Sequence, residues 1–116
     1  MLNAVAKQWV EALRSGKIKQ SQGHLAEGDG RCCLGVLCDL AIKAGVIPRY
    51  SPSSCFLPQE VTDWAGLNGR DGSYERNGAQ FTLAEDNDGN KHAGIAGKTF
   101  AEIADIIESE PKGLFK

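Results

Sequence analysis

From Cys33 to Ala44 the chain reads CLGVLCDLAIKA, and only Asp39 and Lys43 in that run carry charge. The two stand four apart, so on an α-helix they share one stripe and every other face is apolar or small. A helix of that kind is not stable at a surface. It has to run through the middle of a domain, with the rest of the chain as its cover. Gly45 supplies its stop. A chain of 116 residues is long enough for one such core and too short for two, so a single domain over residues 1–116 is expected.

The cover can be read from periodicity. Leu2, Val5, Ala6, Trp9, Val10 and Leu13 fall on one helical stripe, which predicts a helix over 2–15 ended by Gly16, with Trp9 in the core. Residues 17–31 set Ile18 and Leu25 among Gly23, Gly28 and Gly30, a pattern for a short hairpin or an irregular loop. GVIPRYSPSSCF reads as a surface loop, after which Pro58 takes the first position of a helix over 58–65, with Phe56 placed to staple onto Val61. Seven glycines thin out residues 66–98; among them Asn77-Gly78, between SYER and AQF, is a hairpin-turn signal. Thr82 with Glu85 predicts a capping box for one turn of helix. Thr99 with Glu102 predicts another for a helix over 99–109, where Phe100, Ile103, Ala104 and Ile107 recur at helical spacing before Pro111. The fold class is therefore α+β and mainly helical: one compact domain, a central buried helix at about 33–44, flanking helices, and one or two small β-hairpins.

A net charge of −2 disfavours general binding to nucleic acid. No apolar stretch is long enough to span a bilayer, and MLNAVAKQWVEALRSG lacks the apolar region of a secretion signal, so no membrane partner and a cytoplasmic location are expected. In that compartment Cys32, Cys33, Cys38 and Cys55 should be thiols. Their spacings of 1, 5 and 17, with His24 and His92 far apart, match neither a zinc site nor a Cys-x-x-Cys redox pair. Cys33 and Cys38 read as small buried residues that let another element approach the central helix, while Cys32, near a helix start, is placed to favour its thiolate. EDNDGN opens like a calcium loop but has Lys91 where the turn glycine belongs and Gly97 where the glutamate belongs. No metal, no cofactor and no catalytic residue is therefore assigned, since neither histidine has a nucleophile beside it.

Two stretches do suit an anion. HAGIAGKTF carries Gly97-Lys98-Thr99 at a helix start, although His92 stands where a phosphate-binding loop of the NTPase kind needs glycine. Gly28, Gly30 and Arg31 lead into the central helix, without the glycine spacing of a dinucleotide fold. Helix starts offer unpaired N–H groups, and a nearby cation adds to them. The candidate ligand-binding set is Lys19, Arg31, Tyr74, Arg76, Lys98 and Thr99: the cations on phosphates and Tyr74, or Trp64, stacked on a base. Thr99 serves equally as a plain N-cap.

WVEALRSGKIKQ, CCLGVLCDLA, LPQEVTDWAGL, LAEDND and KTFAEIADIIE, taken in that order, resemble a family of short proteins encoded by bacteriophages and prophages. The resemblance implies a setting, the cytoplasm of an infected bacterium, and no mechanism. In that setting the expected function is counter-defence by binding and sequestering a small phosphate-containing signalling nucleotide of the cyclic or ADP-ribose type, by a homo-oligomer able to enclose it. Two alternatives are an inhibitor that grips a host defence protein, and a small phosphodiesterase using His24 or His92.

Overall fold

A computed structural model describes residues 2–116 and places five helices and five short strands in one domain. Helix α1 (Ala4–Arg14) begins where the Asn3 side chain accepts the Ala6 N–H, and buries Ala6, Trp9, Val10 and Leu13, the stripe expected from spacing. It ends before Gly16, which takes a positive φ of 73°. The apolar run forms α2 (Cys33–Lys43), in which Cys33 through Cys38 and Ala41 are all buried. Helix α1 packs on it, and the Trp9 indole N–H donates to the Cys33 carbonyl at 2.9 Å, tying the middle of α1 to the start of α2.

Residues 17–31 are more ordered than a lone hairpin. Strands β1 (Lys19–Gln20), β2 (Ala26–Glu27) and β3 (Gly30–Arg31) form a three-stranded sheet in the order β1-β3-β2, with β1 parallel and β2 antiparallel to β3. The spacing of apolar residues carried no sign of β1, because two-residue strands have no period to read. Helix α3 (Gln59–Ala65) has Pro58 as its N-cap, one residue outside the first helical position, and Gly66 at a positive φ of 72° as its stop. The Phe56 staple is not the feature that anchors it: Phe56 is 53% exposed, and its neighbour Leu57 is the residue that is buried.

Strands β4 (Ser73–Arg76) and β5 (Ala79–Thr82) pair antiparallel around Asn77-Gly78, whose φ values of 54° and 80° are those of a two-residue turn matched to strand twist. Helix α4 (Leu83–Asp88) starts on Thr82, whose hydroxyl accepts the Glu85 N–H. Helix α5 (Phe100–Glu108) starts on Thr99 with both bonds of the capping box formed. Its buried face, Phe100, Ile103, Ala104, Ile106 and Ile107, lies against α1, and Arg14 joins the two with ion pairs to Asp105 and Glu108. The C-terminal segment closes the domain with Leu114 fully buried.

Candidate functional site

The two glycine-led helix starts do come together, and Asn87 is where they meet. This asparagine is fully buried on α4. Its Oδ1 accepts the Cys33 N–H at the start of α2 (3.1 Å) and the Gln20 side-chain amide (2.8 Å), while its Nδ2 donates to the Ser21 carbonyl (2.9 Å). Gln20 also donates to the Lys98 carbonyl just ahead of α5 (2.8 Å), and Gln22 donates to the Asn87 carbonyl (3.1 Å). Gly97 permits this closeness, since a Cβ there would lie 2.4 Å from the Asn87 carbonyl oxygen.

Convergence does not produce an open anion cradle. At α2 the Cys32 sulfur takes the Gly35 N–H and the Asn87 oxygen takes the Cys33 N–H, so the protein's own acceptors occupy the place an anion would fill. At α5 Thr99 and Glu102 cap each other, and the bonds from Thr99 hold the Glu102 carboxyl below the ordinary carboxylate range, keeping a negative charge at that helix start. Thr99 is thus an N-cap.

The remaining expected ligand residues separate. Tyr74 is 2% exposed; its hydroxyl donates to the Asp86 carboxylate, Phe81 stacks on its ring at 5.6 Å, and Arg76 sits 5.8 Å from the ring centre. No face of Tyr74 is left for a base, because Arg76 and Phe81 already use it. Lys19 projects into solvent, 3.8 Å from Asp29. Lys98 borders a groove with Phe81, Glu85, Asp86 and Ile95, where two carboxylates offset its charge. Arg31 belongs to a different recess. The six therefore do not share one binding surface.

The Arg31 recess has a volume of about 340 Å³ and is lined by Ala26, Gly28, Asp39, Ile42, Arg49, Tyr50 and Pro52 besides Arg31 itself. Arg31 is clamped: Nε donates to Asp39 at 2.7 Å, and Nη1 donates to the carbonyls of Gly30 (2.8 Å) and Gly28 (3.1 Å). Burial opposes its charge, but the Asp39 carboxylate outweighs that and holds the guanidinium charged. Burial and the hydrogen bond to Asp39 (2.8 Å) both push the Tyr50 hydroxyl up, so it remains protonated and donating. Arg49, which also lines the recess, is exposed and forms no ion pair among the described residues. Sequence spacing missed Asp39, which read as half of a helical charge stripe, and Arg49, which read as loop; Arg31 ends β3 and Asp39 lies on α2, so no single helical or strand period connects them.

Cys32 corrects a further expectation. Burial pushes its thiol up and outweighs the lowering by the α2 N–H groups, so the thiol form is favoured. Burial likewise raises Cys33, and lifts Cys38 to about 12. Only Cys55 is exposed, its thiol donating to the Gly23 carbonyl in a small recess that also holds His24, Cys32 and Asp88. In folded protein at mildly alkaline pH a thiol reagent should modify one of the four cysteines, Cys55, quickly, and reach the other three only on denaturation. Rapid modification of two or more in the native state would contradict this packing. Among the described residues no group of three or more His, Cys, Asp or Glu side chains is placed to hold a metal ion, and no helix is long and apolar enough to cross a membrane.

A protein-family model described as a domain of unknown function, DUF8296, matches residues 1–111. No curated protein and no solved structure matches the chain.

Proposed function

We propose that this chain, which belongs to the DUF8296 family, is a phage-encoded binding protein that captures a small phosphate-containing ligand in the Arg31–Arg49 recess and holds it out of circulation in the host cytoplasm. The observation that carries the reading is that a rigid guanidinium and an uncommitted one line the same recess. Arg31 is held in place before any ligand arrives, so little side-chain entropy remains to be lost when its outer N–H groups meet phosphate oxygens. Arg49 adds a second cation, which leaves the recess one positive charge in excess after Asp39 is counted. The Tyr50 ring and Ile42 provide apolar surface for a sugar or base. A signalling nucleotide, cyclic or of the ADP-ribose type, has that combination of features. A volume of about 340 Å³ is at the small end for such a ligand, and a homo-oligomer that closes over the recess would bury the rest.

The test is to incubate the protein with a panel of cyclic nucleotides and ADP-ribose derivatives, denature it by heat, and assay what is released. Intact nucleotide supports capture; degraded nucleotide would replace it with a phosphodiesterase, and no uptake from any of the panel would point to a protein target. Arg49→Ala should weaken capture by about 1.5 to 3 kcal/mol, the worth of a charge-assisted phosphate contact. Lys98→Ala and Thr99→Ala should leave it unchanged. The opposite pattern would return the site to the start of α5.

A further inference from the structure

Strand β5 has one partner, β4, and its other edge is open. Which backbone groups face outward follows from the register. Arg76 and Ala79 close the two-residue turn as a hydrogen-bonded pair, so the next pair, Glu75 and Gln80, points its N–H and C=O groups away from the hairpin. The β4 side agrees: the Glu75 N–H reaches outward to the Lys112 carbonyl at 2.7 Å. On the β5 side the Gln80 N–H and C=O meet no backbone group among the described residues. This edge also carries none of the devices that discourage pairing, since Ala79-Gln80-Phe81-Thr82 has no lysine, no proline and no charge. Beside it lie two of the exposed large apolar side chains, Phe81 (40%) and Ile95 (59%), lining one groove of about 140 Å³.

We propose that this edge is a homodimer interface, in which β5 of one copy pairs antiparallel with β5 of a second copy across a twofold axis at Gln80. Gln80 offers one outward donor and one outward acceptor, so two copies satisfy each other with a symmetric pair of hydrogen bonds. In that register Phe81 of each copy lies opposite Ala79 of the other, and the two Phe81–Ile95 patches are covered together. Charge favours a second copy over an arbitrary strand. Arg76 stands at the turn end of the hairpin and Glu85 just past its other end; both are exposed and neither forms an ion pair among the described residues. Antiparallel pairing of identical chains brings each Arg76 to the Glu85 of the other copy, twice per dimer.

Sedimentation or light scattering of the full chain over a range of concentrations reads the result. The unmodified protein should be a dimer. Gln80→Pro removes the outward N–H without touching a bond to β4, and should give monomer with unchanged helix content by circular dichroism. Arg76→Glu and Glu85→Arg should each weaken dimerisation by roughly tenfold or more, and the double exchange should restore it. A monomer at all concentrations overturns the interface, as does a dimer indifferent to these changes, or one in which the double exchange is weaker than either single change. The pairing does not depend on the Arg31 recess, so a monomer that still captures nucleotide would sink this interface alone.

Discussion

Replacing Gly35 with alanine is expected to destabilise the protein by about 3 kcal/mol or more, although the position is inside a helix where alanine is intrinsically the better residue by about 1 kcal/mol. The sign is decided by what lies beside α2. A Cβ on Gly35 would lie 1.9 Å from the carbonyl oxygen of Leu25 and 2.9 Å from its carbonyl carbon. These are backbone atoms, and they are pinned: the same carbonyl accepts the Cys32 N–H at 3.1 Å, the Leu25 N–H donates to Ser54 at 2.8 Å, and the Leu25 side chain is fully buried. Relief would require the 23–26 segment to leave α2 and give up those bonds. Equilibrium unfolding in urea measures the loss, and a variant as stable as the parent would show that the segment does not press on the helix.

A loss of similar size, about 3 to 5 kcal/mol, is expected for Asn87→Ala. Truncation strands the Cys33 N–H, the Ser21 carbonyl and the inner bond of Gln20, the first of these in a fully buried environment. Each unsatisfied group costs about 1 to 3 kcal/mol, and against a domain stability of about 5 to 15 kcal/mol the sum leaves little margin. Native-state hydrogen exchange adds a local readout, because the Cys33 amide loses its acceptor while amides in the middle of α1 keep theirs. Stability within 1 kcal/mol of the parent, as for an ordinary surface change, would mean that solvent or another side chain replaces the amide.

The two cases show why part of the fold and little of the site were legible beforehand. The helices announced themselves by a period of apolar residues (α1, α2 and α5) or by a nearby capping pair (α4 and α5): Thr99 and Glu102 stand three apart, and Asn77-Gly78 makes its turn with its own backbone. Such signals are local, so composition along a short window contains them. Asn87, by contrast, sits in an acidic run that has the look of a solvated turn, and its partners lie 54 to 67 residues away. Nothing in a window around it distinguishes a buried hub from an exposed loop.

Arg31 shows the same division within one residue. Its placement ahead of α2 identified it as a ligand candidate, but its clamp depends on Asp39 coming round α2 and on two carbonyls of the Gly28–Gly30 turn. Tyr74 and Thr99 possess the chemistry expected of ligand residues, but folding uses it internally, on Asp86 and Glu102.

What the amino-acid sequence determined by itself was the helices, the β4–β5 hairpin, the burial of α2 and the Thr82 and Thr99 caps of α4 and α5, because these follow from side-chain periodicity and from bonds that span three or four residues. Which polar groups remain available was decided only by the tertiary structure. A donor is free or spent according to what lies within about 3.2 Å of it, and for Cys33, Gln20 and Arg31 that neighbour comes from elsewhere in the chain.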